Sequence, residues 1–211
     1  MKRILYLFSS DLERNAAFPD GVPAGAMIDT TGVGPIDAAI GTARAVAEHA
    51  PDAVVFIGTC GAHRDARLKI GDVIRATTIR LGSGDVARGE MRIPSLLPSE
   101  VTCDDDLGLA VAGSIAASLN SEIRDARVSC TLGVTESDEL AATLAAFDGS
   151  QVENLEAFSV AHAARPLPVA VILGVTNMVG VGAGRDWFAN YRSIMHRLSH
   201  CVVATSESAT E

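Results

Sequence analysis

The stretch "AVVFIGTCG", residues 53–61, sets five consecutive apolar side chains ahead of two glycines that bracket Thr59 and Cys60. A strand with one face in water alternates apolar and polar residues. A run without alternation is buried on both faces, as in a parallel sheet covered by helices. Residues 53–57 therefore read as an interior strand, and Gly58 to Gly61 as the turn where the chain leaves it. Just upstream, residues 36–49 have the alanine content and spacing of a helix, and Pro51 breaks it. Pro35 falls in the first turn of that helix, where a missing N–H costs nothing.

The alternation extends outward from this point. Residues 3–9 read as a buried strand and 26–31 as a second, ending at Gly32-Val33-Gly34-Pro35. Downstream, 72–80 is a longer strand rich in β-branched residues, and 84–93 a hairpin or loop. A helix over 105–119 ends near Asn120. A strand follows at 126–132, a short helix at 137–147 and a second helix at 153–164. Residues 168–175 form a strand that leads into Thr176 and Asn177. An amphipathic helix over 185–204 closes the chain, and 205–211 read as a frayed tail. The expected fold is α/β: one domain over 1–211, with three αβα layers and a central mixed, largely parallel sheet. Ligand sites in such folds gather at the carboxyl ends of strands. That rule singles out the positions after residues 9, 31, 57 and 175.

Composition removes several classes of function. The 211 residues are 48% apolar and 4% aromatic, so the core is aliphatic and disorder is excluded. A net charge of −9 argues against a nucleic-acid binder, which needs a basic face. Cys60, Cys103, Cys130 and Cys201 are widely spaced, without a CxxC or a zinc-type Cys/His pairing. They read as reduced thiols of a cytoplasmic protein. The start "MKRILYLFSSDLER" has a basic beginning, but Asp11 and Glu13 follow too soon for a signal peptide. No apolar run approaches the ~18 residues of a membrane span.

Several residues carry candidate chemistry. Gly32 and Gly34 let a ligand approach the backbone at a helix N-terminus, which favours an anion or a polar oxygen. Asp37 stands where a GxGxxG motif needs its third glycine, so a dinucleotide site is not supported. Thr59 offers a hydroxyl between glycines. Cys60 has only His63 near it in sequence and no orienting partner for a thiol mechanism. Asp11 and Glu13, like Glu153 and Glu156, are acidic residues at helix starts, where they suit the dipole. Asn177 can make a turn, or present an amide to the edge of a heterocycle. Trp187, the sole tryptophan, reads as a packing anchor. Each feature alone has an ordinary structural reading. Their common place on one rim of one sheet favours a functional reading.

Four segments in order resemble the nucleoside phosphorylase and nucleosidase superfamily. They are "SSDLER", "TTGVGPIDAAIGT", "PDAVVFIGTCGAHRDARLKIGDVI" and "VENLEAFSVAHAA" with "VAVILGVTNMVG". The resemblance lies in the branch that holds methylthioadenosine/S-adenosylhomocysteine nucleosidase and futalosine hydrolase. It implies that Glu13 activates a hydrolytic water, that Thr59 lies near the sugar and nucleophile, that Leu155 packs under the ribose and that Glu156 grips its hydroxyls. Asn177 takes the place of an Asp that supplies a proton to the purine. Gly32, Gly58 and Thr131 complete the implied substrate-binding set. On this register Glu153 lies outside the sugar-binding pair and serves as a helix-capping carboxylate.

The departures from the family pattern are equally specific. Phe56 stands where phosphorylases carry an Arg, and the N-terminal phosphate loop with its Arg is missing. Water is therefore the expected nucleophile. A phosphorylase and a nucleoside-binding protein without catalysis are the alternatives. The segment from Thr131 to Thr135 lacks the family's usual aromatic. Asn at 177 suits a 6-oxopurine, whose O6 and N7 both accept. No metal or organic cofactor is implied. The resemblance also implies a homodimer or higher oligomer, with a small-molecule nucleoside as ligand.

Overall fold

The structure, a computed structural model, describes residues 3–200 and residue 202. The tail expected over 205–211 lies outside the described residues. In chain order the elements are β1 (Ile4–Phe8), α1 (Asp11–Ala17), β2 (Met27–Thr30), α2 (Gly34–His49), β3 (Ala53–Ala62), β4 (Val73–Leu81), α3 (Gly84–Ala87), β5 (Glu100–Thr102), α4 (Asp105–Leu119), β6 (Ile123–Cys130), α5 (Asp138–Asp148), β7 (Val152–Asn154), α6 (Ala157–Ala163), β8 (Val169–Met178) and α7 (Ala183–Leu198).

The sheet is mixed. β2, β1 and β3 run parallel side by side. β3 then pairs with β8 in parallel and, at its far end, with β7 antiparallel. β8 meets β4 antiparallel, β4 meets β6 in parallel, and β6 meets β7 in parallel. These pairings close β3, β8, β4, β6 and β7 into a ring, with β5 on the free side of β4.

Period-two alternation sorts the strand residues into two cores. Leu5, Leu7, Val54, Phe56, Val171 and Leu173 face one way, against Ala38 and Ala45 of α2 and Val160 and Ala161 of α6. Tyr6, Phe8, Val55, Ile57, Ala170 and Ile172 face the other, against Ile115 of α4 and Ile194, Met195 and Leu198 of α7. Each fully buried Leu or Ile contributes about 1.5–3 kcal/mol, so both helical layers are held by the same strands. The expected α/β architecture of three layers is the one observed.

Three expectations need correction. The segment 58–61 is not a turn. β3 runs ten residues through it to Ala62, because β8 and β7 bond its last residues on both sides. The helix expected at 153–164 begins only at Ala157. Val152–Asn154 is a strand, with Glu153 opposite Gly61 on β3 and Ser129 on β6. The region expected as a hairpin or loop at 84–93 opens with the short helix α3.

Candidate active site

A cavity of about 380 Å³ opens where β1, β3 and β8 end. Its polar walls come from Ser9, Glu13, Thr59, Glu153, Asn154, Glu156 and Asn177, and its apolar walls include Leu12, Val33, Val134, Leu155 and Trp187. The described residues that line it include no Lys, Arg or His. Three carboxylates sit there at 3%, 6% and 5% exposure (Glu13, Glu153 and Glu156). A buried charge without a cation is costly and is relieved by hydrogen bonds or by protonation. Both remedies are visible.

Glu13 stands in the first turn of α1. The helix opens with Ser10-Asp11-Leu12-Glu13, the pattern of a capping box, and the Ser10 hydroxyl accepts from the Glu13 N–H at 3.3 Å. Glu13 turns its carboxylate into the cavity. Its Oε2 accepts from the Ser9 hydroxyl at 2.6 Å and its Oε1 from the Thr59 hydroxyl at 2.7 Å. Burial pushes the carboxyl above its ordinary range, while the hydroxyls and backbone amides of Ser9 and Thr59 pull it back.

Glu156 approaches from the start of α6. Gly34 N–H donates to its Oε1 at 2.9 Å, so the Gly32-Val33-Gly34 turn serves this side chain. Burial raises its pKa to about 7; the Gly34 N–H opposes that shift and the charge of Glu13 adds to it. Asn154 links this carboxylate to β3. Its amide NH2 donates to the Thr59 carbonyl at 2.9 Å and to Glu156 Oε2 at 3.2 Å. Its oxygen accepts from the N–H groups of Glu156 and Ala157 at 2.9 and 2.7 Å. Both donors and both lone pairs of the amide are thus in use.

Asn177 reaches the cavity because of a β-bulge. The β3–β8 register passes from Cys60 opposite Val175 to Gly61 opposite Asn177, leaving Thr176 unpaired. The extra residue turns Asn177 onto the strand face that carries Thr59 and Gly61. Glycine at 61 leaves room for this amide: a Cβ there would lie 2.7 Å from Asn177 Nδ2 and displace it. The Met178 carbonyl can only accept, so the group facing it at 3.1 Å is the Asn177 NH2. The Asn177 oxygen takes the Thr176 hydroxyl at 2.9 Å. One N–H of Asn177 is left for a ligand.

Glu153 is not a surface cap. It lines the cavity, and its two oxygens accept from the Thr135 N–H at 2.9 Å and the Thr135 hydroxyl at 2.5 Å. Burial raises its pKa and the Thr135 hydrogen bonds oppose the rise. Trp187 also differs from its sequence reading. Its ring packs on Tyr191, with centroids 4.7 Å apart, yet it lines the cavity and its indole N–H donates to Thr59 Oγ1 at 3.0 Å.

Of the candidate residues, Glu13, Thr59, Leu155, Glu156 and Asn177 come together around this cavity. Gly32, Gly58 and Thr131 are not in its walls. Gly58 lies mid-strand, where a Cβ would meet the Phe56 ring at 3.3 Å on the core side. Gly32 adopts φ +101° and backs onto Asp37, which leaves the cavity wall to Val33. Thr131 directs its hydroxyl at the Gly133 carbonyl, at 2.9 Å, and at Glu153. Cys60 does line the cavity, but burial first and the Glu13 charge second push its thiol pKa upward, which keeps it protonated. Neither ring nitrogen of His63 has a hydrogen-bond partner. Ser9, Asn154 and the indole N–H of Trp187 are contributions that sequence reasoning missed. The Ser-x-x-Glu pattern beginning at Ser10 signals the helix start that carries Glu13, not the Ser9 bond.

The architecture defines an α/β protein with a carboxylate-rich cavity on the carboxyl rim of its sheet, lined by no Lys, Arg or His among the described residues. The chain belongs to the phosphorylase superfamily, whose family model matches residues 26–204. Glu13 and α1 precede the matched range. Among solved structures, the chain is similar to 5'-methylthioadenosine/S-adenosylhomocysteine nucleosidase from Helicobacter pylori, at 16% identity and a TM-score of 0.84, covering 99% of each chain. It is similar to a mutant of futalosine hydrolase from the same organism, at 14% identity and a TM-score of 0.83, covering 99% of this chain and 100% of that one. The nucleosidase from Neisseria meningitidis, solved with methylthio-immucillin-A, shares 20% identity at a TM-score of 0.81, with 99% and 100% covered. At these identities the likeness is one of fold.

Proposed function

We propose that the chain is a nucleosidase that hydrolyses the N-glycosidic bond of a purine nucleoside or a futalosine-like compound. The observation that carries this reading is the approach of Glu13 and Glu156 to one cavity whose walls, among the described residues, hold no cation. Breaking the bond builds positive charge on the sugar and negative charge on the base. Glu156, half-ionised near pH 7, accepts from the sugar hydroxyls and opposes the oxocarbenium charge. Glu13 takes a proton as water attacks the anomeric carbon, so the C–O bond forms while the C–N bond breaks. The bonding electrons leave with the base, where the free N–H of Asn177 meets a ring nitrogen or carbonyl. Asn cannot supply the proton itself, so the base is protonated from solvent. Leu155 packs under the ribose.

Water is favoured over phosphate as the nucleophile for an electrostatic reason. A phosphate would meet three carboxylates and no Lys or Arg. Phe56, at the family's Arg position, is fully buried in the core. The deciding experiment incubates the protein with a panel of nucleosides, with and without phosphate, and identifies the released base and sugar by mass. Free sugar without phosphate supports hydrolysis. A sugar phosphate formed only when phosphate is present would replace it with phosphorolysis. Binding without any release would make the chain a nucleoside-binding protein.

The chain is further proposed to act as one nucleoside phosphorylase-like domain in the cytoplasm, as a homodimer or higher oligomer. Val33, Ile36 and Ile40 at the start of α2 are 58%, 73% and 65% exposed, and Val33 and Val134 reach the cavity mouth. A second copy seated there would cover these side chains and close the site. Light scattering of the purified protein distinguishes this from a monomer. Among the described residues no helix is long and apolar enough to cross a membrane.

A further inference from the structure

Three side chains form a chain of hydrogen bonds into Glu13. Trp187 Nε1 donates to Thr59 Oγ1 at 3.0 Å, and Thr59 Oγ1 donates to Glu13 Oε1 at 2.7 Å. The directions are set by chemistry. An indole N–H can only donate and an ionised carboxylate can only accept. Thr59 must therefore accept from Trp187, which leaves its one proton available to the ionised Glu13 at 2.7 Å. We propose that Trp187 is a positioning residue for the reaction: its indole N–H fixes the Thr59 hydroxyl as a donor to Glu13, which favours the carboxylate over the acid and aims it into the cavity. The inference rests on the hydrolytic reading above for its catalytic consequence, and on the geometry alone for the hydrogen-bond chain.

The indole is itself held from two sides. Its ring lies nearly parallel to that of the buried Tyr191, with an interplanar angle of 11°. One turn on, Asn190 ties α7 to β8 by donating to the Thr176 carbonyl at 3.0 Å. An ordinary core tryptophan needs only the packing. Here the N–H is aimed at a hydroxyl that touches the proposed general base.

Without the indole N–H, the Thr59 hydroxyl can turn and accept from a protonated Glu13. The neutral acid then gains a partner and the carboxylate loses one, so the proton is held to higher pH. A general base works only when ionised. The acidic limb of the rate profile should therefore move upward. Other titratable and charged groups surround this site. Cys60 on β3 and Glu156 at the head of α6 couple to Glu13. On α7, Asp186 pairs with Arg185, and Arg192 lies over Tyr191. On α1, Asp11 pairs with Arg14.

The test compares Trp187→Phe, which keeps an aromatic ring for Tyr191, with the parent protein. The acidic limb of kcat/KM should rise by about one pH unit, so that turnover below the limb falls about tenfold, with less effect on the plateau. Thr59→Val should move the limb the same way, and the double variant should move it no further. An unmoved limb, a uniform loss at every pH, or additive shifts would overturn the proposal. A second arm needs no turnover. Trp187 is the only tryptophan, so its fluorescence reports on the chain directly. It should titrate with pH in the parent protein and in Glu156→Gln, and not in Glu13→Gln. A titration that survives Glu13→Gln, or none in the parent, sinks the proposal. If no nucleoside is cleaved, the hydrolytic reading fails while this arm still decides whether the hydrogen-bond chain couples Trp187 to Glu13.

Discussion

Glu153 and Glu156 stand three residues apart on one segment, line one cavity and are equally buried, yet they are held in different ways. Glu153 is held by one segment, 131–135: Thr135 donates its N–H and its hydroxyl, and the Thr131 side chain also bonds the carboxylate. Glu156 instead accepts from the Gly34 N–H at the start of α2, 122 residues away in the chain, as well as from the nearby Asn154 side chain, and it couples electrostatically to Glu13 across the cavity. A carboxylate closed off by a single loop organises that loop. One that draws on distant elements and faces another carboxylate is set up to exchange charge with a ligand. Burial alone does not separate the two roles; the source of the hydrogen bonds does.

The contrast can be broken by substitution. Glu13→Gln removes the base and should lower kcat by roughly 10³-fold, measured by release of base from the cleaved nucleoside. Glu156→Gln removes the sugar-facing charge and should lower kcat/KM by roughly 10²–10³-fold. If Glu153→Gln costs as much as Glu156→Gln, the assignment of the two residues is wrong.

Glu156 should also show in stability. The folded pKa of Glu156, about 7, lies above its ordinary 4.5. Its protonated form is therefore favoured by folding. That stability is fully present below pH 4.5 and is lost as pH rises through about 7. Urea denaturation of the ligand-free protein should show Glu156→Gln more stable than the parent at pH 8, by on the order of 2–3 kcal/mol, with the gap closing near pH 5.

Asn177→Ala should cost roughly ten- to a hundredfold in kcat by removing the N–H left for the leaving base. KM should change less than kcat if that bond strengthens in the transition state. The smallest effect is expected at Glu153. Glu153→Gln should change turnover less than about threefold and, because burial raises this carboxyl's pKa too, gain stability relative to the parent as pH rises. Denaturation and initial-rate measurements on the same preparation check both halves of that statement.

Much of the fold was legible because continuous apolar runs such as 53–57 and 168–175 read directly as strands buried on both faces. β7 was not legible. A three-residue strand has no period of its own, and the apolar residues after it made the whole segment look helical. Its nature is set by Gly61 and Ser129, on β3 and β6, which bond it from either side. The same gap explains why Glu153 read as a helix cap.

The sequence by itself determined the alternation of strands and helices, the family pattern, and which residue types stand at the ends of β1, β3 and β8. Those follow from local patterning and residue chemistry. Only the tertiary structure decided where the side chains point. The bulge at Thr176 turns Asn177 into the cavity, Gly61 leaves room for it, and Trp187 finds Thr59 from 128 residues away. Hydrogen-bond direction depends on partners brought together by folding, and such partners leave no periodic trace along the chain.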